Sequence, residues 1–248
     1  MKIVAIIPAR YASARFPGKP LIDISGKTMI QRVAERVQNC RSISAVIVAT
    51  DDERIYSHVT QLGVRCIMTS SHHLSGTDRC LEAYQLSGIK ADAIINVQGD
   101  EPFVDVSQLE MLAALISKPN TSIATLAKRI NDTETLFDTS KVKVVFNATM
   151  QALYFSRQAI PFLRNTPADN WVDVQMHYKH IGLYAYTSAA LEAICALQPS
   201  SLELAESLEQ LRWLENGYSI NVGLTEIETP AIDTPEDLVR ALHYLKGD

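Results

Sequence analysis

Three cationic residues lie close together near the amino terminus, in a stretch that contains no acidic residue. Arg10, Arg15 and Lys19 belong to the segment from Pro8 to Leu21, which also contains several small residues. Small residues let the backbone approach a ligand closely, and backbone N–H groups together with Arg and Lys neutralise phosphate oxygens. The pattern therefore favours a triphosphate site. Cations in loops are also often merely solvated, and composition alone leaves that second interpretation open.

Two acidic segments, each at the boundary of a predicted element, could hold a metal ion. Asp100 follows an apolar strand and could bind Mg²⁺ through a carboxylate oxygen, with substrate phosphates completing the coordination shell. Gln98 would share a face with Asp100 if strand geometry continued to this point. Pro235 marks the start of a predicted helix, with Thr234 or Asp233 as its N-cap. Asp233 is either such a cap or a second magnesium ligand. A simple turn at Gly99-Asp100 is the alternative for the first segment.

A third motif, Ser75-Gly76-Thr77-Asp78-Arg79, opens a predicted helix and could recognise the edge of a base or serve only as a helix cap. Other motifs are incomplete. The chain lacks the spaced glycines of a P-loop and of a dinucleotide-binding fingerprint, and it has no serine-hydrolase elbow. His72 and His73 are adjacent but have no third ligand at metal spacing, which argues against a metal site there.

Short β-branched segments alternate with helical segments, which predicts an α/β fold with a mainly parallel sheet between helices. Strands are predicted at 2–7, 45–49, 64–68, 92–97, 122–127, 141–146, 152–155, 182–186 and 219–222. Helices are predicted over 28–39, 107–116, 202–216 and 235–245. The simplest organisation is a single domain over residues 1–248, with an insertion at about 128–185 that carries extra strands.

Composition excludes several classes of protein. The 248 residues are 47% hydrophobic and 21% charged, as in soluble globular proteins. The net charge of −5 argues against nucleic-acid binding, although residues 1–36 carry seven Lys or Arg and two acidic residues, which suits a small anionic ligand. No apolar run is long enough to span a membrane and the amino terminus lacks signal-peptide features, so a cytoplasmic location is expected. The four cysteines form no C-x-x-C pair and are predicted to be buried or half-buried thiols.

Seven motifs, in this order, resemble those of the CMP-KDO synthetase family, the 3-deoxy-manno-octulosonate (KDO) cytidylyltransferases of lipopolysaccharide inner-core synthesis. The resemblance runs from residue 3 to about residue 240. The motifs are IPARYASARFPGKPL at 7–21, SGTDR at 75–79, NVQGDEP at 96–102, ALYFSR at 152–157, HIGLYAY at 180–186, LEQLR at 208–212 and IDTPEDL at 232–238.

The resemblance implies a Rossmann-like nucleotidyltransferase fold, a mixed and mostly parallel sheet flanked by helices with an inserted dimerisation region. It also implies a homodimer, Mg²⁺ as cofactor and the conversion of CTP and KDO to CMP-KDO and diphosphate. The catalytic residues it implies are Arg10, Lys19, Asp100 and Asp233, of which Asp100 and Asp233 bind the metal. The nucleotide-binding residues it implies are Ala9, Arg10, Arg15, Lys19, Ser75, Gly76, Arg79 and Gln98. The sugar-binding residues it implies are Gln98, Arg157, His180, Tyr184, Glu209 and Gln210.

The chemistry implied needs no protein nucleophile, because the anomeric hydroxyl of the sugar attacks the α-phosphorus in line. A cation such as Arg157 suits the carboxylate of KDO, and His180 and Tyr184 fall on one face of a strand. Lys179, beside that face, leaves an 8-amino analogue of KDO or another ulosonic acid as an alternative sugar. A metal-dependent glycosyltransferase and a catalytically silent nucleotide-binding protein are the rival interpretations.

Overall fold

The computed structural model describes residues 1–12, 16–73, 75–232 and 234–246. The chain forms two compact units, one of Met1–Ala113 with Thr229–Asp248 and the other of Ala114–Glu228. The segment 128–185 lies within the second unit, and its interpretation as an insertion into one domain stays a prediction.

The first unit is built on a parallel sheet of four strands, ordered β6-β1-β4-β5. The strands of this unit are β1 (Ile3–Ala9), β2 (Asp23–Ile24), β3 (Lys27–Thr28), β4 (Ala45–Thr50), β5 (Arg65–Met68) and β6 (Ala93–Asn96), of which β2 and β3 form a small hairpin. The helices that begin in it are α1 (Met29–Gln38), α2 (Glu53–Gln61), α3 (Gly76–Ser87) and α4 (Val106–Ile116), with a 3-10 turn at Lys19–Leu21. Ile6 pairs with Ile47 on one side and Asn96 on the other, so the carboxyl ends of β1, β4 and β6 meet at one edge.

The second unit has a mixed sheet, ordered β11-β7-β10-β8-β9. Its strands are β7 (Ile123–Ile130), β8 (Lys143–Phe146), β9 (Ala152–Ser156), β10 (His177–Thr187) and β11 (Ile220–Leu224). Its helices are α5 (Thr133–Phe137), α6 (Trp171–Val174), α7 (Ser188–Cys195), α8 (Ser201–Glu206) and α9 (Gln210–Glu215), with a 3-10 turn at Ala168–Asn170. Helix α10 (Pro235–Lys246) belongs to the first unit. The predicted α/β fold class is confirmed.

The single helix predicted over 202–216 is wrong, because two helices occupy this segment. Ser207 adopts a left-handed backbone conformation with φ of 52° and ends α8 before α9 begins. Leu204 is 69% exposed, whereas Leu208 and Leu211 are buried. The three leucines keep the spacing of one helix face. They do not share a face in the structure, because the helix is broken at Ser207 between the first leucine and the other two.

All four cysteines are free thiols, as predicted: Cys40 and Cys80 are buried, and Cys66 and Cys195 are half-buried. Burial raises the pKa of Cys66 to about 12. Among the residues that the structure describes, no helix combines the length and the apolar character needed to cross a membrane.

Candidate active site

A pocket of about 170 Å³ opens at the carboxyl edge of the parallel sheet, where open α/β sheets bind ligands. Segments that follow β1, β5 and β6 form its walls, and each was identified from the sequence as a possible binding motif. The residues that line it are Pro8, Ala9, Arg10, Lys19, Pro20, His73, Ser75, Gly76, Arg79, Gln98, Gly99 and Asp100. Seven of the eight predicted nucleotide residues are thus brought together, and the eighth, Arg15, lies outside the described residues.

Gly99 allows the segment after β6 to pack directly against the end of β1. A Cβ atom at this position would lie 2.7 Å from the carbonyl oxygen of Pro8, closer than real Cβ atoms come to backbone. Gln98 and Asp100 line the pocket through this close approach. The condition for a shared strand face is not met, because β6 ends at Asn96 and Gly99-Asp100 form a turn, the alternative that the sequence offered.

An ion pair joins the cationic loop to the acidic motif. Lys19 Nζ lies 2.6 Å from Asp100 Oδ2, and both side chains are largely buried, at 13% and 27% exposure. Lys19 Nζ also donates to the carbonyl of Ile232 at 3.3 Å, and the Ile232 N–H donates to the Asp100 carbonyl at 3.0 Å. Three segments distant in sequence therefore converge on Lys19. Asp233 follows Ile232 directly but lies outside the described residues, so its role as a metal ligand stays a prediction. Of the two predicted caps, Thr234 fills the position, because its Oγ1 accepts the Asp237 N–H at 3.3 Å and Asp237 in turn accepts the Thr234 N–H at 2.8 Å.

The base of the cationic loop is held by contacts that the sequence did not reveal. The guanidinium of Arg54 lies 3.3 Å from the centroid of the Tyr11 ring, and Asp52 pairs with the same guanidinium at 2.6 and 2.9 Å. The Gly18 N–H donates to the Tyr11 carbonyl at 2.9 Å, with Gly18 in the left-handed region at φ of 73°. Tyr11 therefore closes the loop that carries Arg10 and Lys19. Asp52 is also the N-cap of α2, where its side chain accepts the Arg54 N–H.

The Ser75–Arg79 motif is a helix cap and also part of the pocket. Ser75 Oγ accepts a hydrogen bond from the Asp78 N–H at 3.0 Å, which begins α3. Arg79 is 3% exposed and donates to Thr69 Oγ1 at 2.7 Å and to Asp51 Oδ2 at 2.9 Å. Two of its nitrogens are thus used to hold neighbouring segments, while the residue still lines the pocket.

In the second unit, two predicted sugar residues lie side by side on β10. A register irregularity between Ile181 and Tyr184 sets the rings of His180 and Tyr184 5.3 Å apart. His180 Nε2 lies 2.9 Å from Thr125 Oγ1, which in turn donates to the Leu183 carbonyl at 2.8 Å. Because that hydroxyl uses its proton on the carbonyl, Nε2 is the donor and Nδ1 of the neutral ring is an acceptor. Burial, and then the charge of Lys179, lower the pKa of His180 to about 3.

The Tyr184 hydroxyl is buried without a hydrogen-bond partner among the described residues, and so is Trp213 Nε1. The rings of Tyr184 and Trp213 meet edge to face at 5.2 Å. Burial is the main cause that raises the pKa of Tyr184 well above its usual value, and the negative charge of Glu209 adds to it. The side chain of Thr125 has a smaller, opposite effect on this pKa. Unsatisfied buried polar atoms are rare in native proteins, and a ligand is one reason for them. No motif in the sequence marks Trp213 or Thr125, because only the folded chain brings them beside Tyr184 and His180.

Of the other predicted sugar residues, Gln98 lines the pocket of the first unit, and three lie around the break between α8 and α9. Glu209 accepts a hydrogen bond from Arg212 at 3.2 Å, and Gln210 is buried at the start of α9. Arg157 Nε donates to the Glu206 carbonyl at 2.8 Å, and its amino groups donate to the carbonyls of Thr139 and Ser207 at 3.3 Å. The structure therefore places Glu209 and Gln210 at the start of α9 and Arg157 against the end of α8.

Asp100 offers the hard oxygen ligand that Mg²⁺ prefers, and it does so beside cations suited to phosphate. No group of three or more His, Cys, Asp or Glu that could hold a metal occurs among the described residues. A site of this kind therefore fits a magnesium ion only if phosphate oxygens and water supply most of the ligands, as is usual for Mg²⁺.

Comparison with known proteins identifies the family. Residues 4–222 match the family profile described as cytidylyltransferase. A 3-deoxy-manno-octulosonate cytidylyltransferase of Cytophaga hutchinsonii is 55% identical, over 98% of this chain and 97% of that protein. A protein of the same name from Phocaeicola vulgatus is 54% identical over 99% and 98%. The solved structure of CMP:2-keto-3-deoxy-manno-octonic acid synthetase complexed with CTP superposes with a TM-score of 0.92, at 41% identity over 100% of this chain and 99% of that one. The chain belongs to the cytidylyltransferase family and, within it, to the 3-deoxy-manno-octulosonate cytidylyltransferases.

Proposed function

We propose that this protein transfers the cytidylyl group of CTP to KDO, giving CMP-KDO and diphosphate. The observation that carries the proposal is the Lys19–Asp100 pair, a cation and a hard oxygen ligand 2.6 Å apart in a pocket that Arg10 also lines. A triphosphate with its metal ion needs both kinds of group within a few ångströms. The relatives named above and the CTP complex of a related synthetase support the same reaction.

The nucleotide would lie in the pocket of the first unit. Arg10 and Lys19 are placed to neutralise the phosphate oxygens and the departing diphosphate, and Arg15 is proposed to assist them. Ser75 caps α3 and Gly76 is its first residue, so both stand at the helix end whose dipole favours the negative charge of a phosphate. With Arg79, Gln98 and Ala9 they complete the proposed nucleotide site.

Magnesium would be held by the carboxylate of Asp100 and, we propose, by Asp233. When bound, the ion would neutralise phosphate charge and lower the pKa of the attacking sugar hydroxyl. Lys19 has three N–H donors, so it could donate to the triphosphate as well as to its partners in this structure.

The sugar would bind to the residues of the second unit. Tyr184 brings a buried hydroxyl that has no partner among the residues described, and His180 brings a neutral ring whose Nδ1 is an acceptor. Sugar hydroxyls can satisfy both, since each is donor and acceptor. Glu209 and Gln210 are proposed to bind further hydroxyls, and Arg157 to pair with the carboxylate of KDO. The anomeric hydroxyl attacks the α-phosphorus in line, and orientation replaces covalent catalysis.

We also propose that the protein is a homodimer formed through the second unit. Phe162 is 73% exposed and packs edge to face on Trp171, and Val174 and Met176 are 63% and 51% exposed nearby in sequence. Exposed apolar side chains in such number are typical of an interaction surface. Sedimentation velocity checks this proposal: Phe162→Asp should shift a dimer toward the monomer, and an unchanged dimer would exclude this surface. A cytoplasmic location stays a prediction from the sequence.

The proposed reaction is tested by diphosphate release from CTP and Mg²⁺ with a panel of 3-deoxy-ulosonic acids that includes KDO and its 8-amino analogue. We expect the highest kcat/KM with KDO. A preference for the 8-amino compound would correct the sugar but keep the reaction. Release of a nucleoside diphosphate from a sugar nucleotide would instead identify a glycosyltransferase. CTP binding without turnover on any sugar would identify a silent binding protein.

A further inference from the structure

A histidine that no motif explained lines the nucleotide pocket. His73 is half-buried, and its Nε2 lies 2.5 Å from Glu82 Oε2. The same carboxylate oxygen accepts the Ser70 N–H at 2.7 Å. Glu82 is two turns into α3, the helix that begins at the pocket with Ser75 and Gly76. A single carboxylate on α3 therefore holds both ends of the segment from Ser70 to His73.

The neighbouring residue Arg79 fastens the same segment from another point of α3. It donates to Thr69 Oγ1 at 2.7 Å, while the Thr69 N–H donates to the Thr50 carbonyl at 2.8 Å. The pocket wall that carries His73 is thus bound to the helix and to the sheet. Such a wall presents its side chains in one orientation, which lowers the entropy cost of recognising a ligand.

The contacts of His73 determine which ring nitrogen carries a proton. Although burial raises the pKa of Glu82, the hydrogen bonds from the Ser70 N–H and from His73 outweigh it and hold that pKa below its usual value. An ionised carboxylate only accepts, so Nε2 must be the donor. Nδ1 makes no hydrogen bond with any described residue, and in the neutral ring it is an acceptor left for a ligand.

We infer that His73, oriented by Glu82, selects cytosine over uracil in the nucleotide pocket. The two bases differ at C4, where cytosine has an amino group that donates and uracil a carbonyl that accepts. An acceptor nitrogen pairs with the amino group but faces the uracil oxygen as a second acceptor, which is unfavourable. His73 acts here as a specificity residue and Glu82 as a positioning residue. The inference rests on the proposed function, because it takes CTP as the ligand of this pocket.

Equilibrium binding of CTP and UTP, measured by calorimetry without sugar, tests the inference on the full-length protein. His73→Leu should weaken CTP binding about tenfold and change UTP binding less than about twofold, since it removes one hydrogen bond that only cytosine makes. His73→Gln, of similar size but with an acceptor oxygen, should retain most of the preference for CTP. Glu82→Leu should lower the ratio of CTP to UTP affinity about threefold. Glu82→Gln should restore that ratio, because its amide oxygen can still accept the hydrogen bond from His73 Nε2.

The adjacent His72 provides a matched control. Its side chain is exposed and makes no hydrogen bond with the described residues, so His72→Leu should leave both affinities unchanged. Equal losses of CTP and UTP binding in His73→Leu, or an unchanged CTP affinity, would overturn the inference while the proposed function stands. If the parent protein binds neither nucleotide, the proposed function falls and the inference falls with it. If His73→Leu fails to fold, the two Glu82 variants decide the question. An unchanged ratio of CTP to UTP affinity in Glu82→Leu would then overturn the inference.

Discussion

Replacement of Asp100 by Asn separates the chemical role of this carboxylate from its role in the ion pair. Asn has nearly the same shape, so its side-chain oxygen can still accept the hydrogen bond from Lys19. Only the charge of the pair is lost. Charge-assisted hydrogen bonds contribute about 1.5–3 kcal/mol and neutral ones about 0.5–1.5, so the free energy of unfolding should fall by about 1 kcal/mol. In a protein of this size that lowers Tm by about 2–4 °C.

The catalytic effect should be much larger than the effect on stability. A neutral amide is a poor ligand for Mg²⁺, and loss of one preorganised charged group at a reacting centre typically costs about 10²–10³ in kcat. This corresponds to about 3–4 kcal/mol of transition-state stabilisation, roughly three times the change in folding free energy. We therefore expect Asp100→Asn to remain folded at the assay temperature and to lose most of its turnover.

The assay is diphosphate release at increasing Mg²⁺ concentration, with a thermal unfolding curve for each preparation. Asp105→Asn is the matched control, because Asp105 lies close in sequence and its carboxylate accepts hydrogen bonds from Ser107 instead of lining the pocket. Turnover of Asp100→Asn equal to that of the parent at saturating Mg²⁺ would remove Asp100 from the mechanism. A fall in Tm beyond about 10 °C would show that the pair is mainly structural.

Three further predictions concern residues in both units. Arg157→Ala should weaken binding of the sugar about tenfold more than binding of CTP, as separate titrations would show, and equal losses would point to a structural role against the end of α8. In the folded protein the pKa of His180 is lowered to about 3, whereas in the unfolded chain it is near 6.5. The contribution of the neutral ring to the free energy of unfolding is therefore fully present above pH 6.5 and is lost as the pH falls toward 3. Denaturant unfolding should therefore show that the parent loses about 1–2 kcal/mol more than His180→Phe between pH 7 and pH 5, and parallel losses would contradict the neutral buried ring. Arg54→Ala should raise KM for CTP several-fold with kcat nearly unchanged, because Tyr11 loses its cation–π partner. Arg54→Lys should restore the low KM, and an unchanged KM in Arg54→Ala would show that this contact does not support CTP binding.

Most elements of the first unit follow from local patterns in the chain. Strand β1 is an apolar run that needs no partner to be recognised, and Asp52 and Ser75 cap the helices that their types predict. The pocket was predictable as well, because open parallel sheets bind ligands at the carboxyl ends of their strands. The helix over 202–216 was not predicted correctly, since Leu204, Leu208 and Leu211 keep helical spacing across a break that a single left-handed serine creates.

The sequence by itself determined the residue types that could do this chemistry, their order along the chain and the elements that end beside them. Tertiary structure alone decided which of these groups meet. Lys19 pairs with Asp100, 81 residues away, and donates to Ile232, 213 residues away. The Tyr184 hydroxyl is buried with no hydrogen-bond partner in the described part of the chain, and His73 pairs with Glu82. Periodicity and capping depend on neighbours within a few residues, whereas burial, proton position and ion pairing depend on atoms that only the folded chain brings into contact.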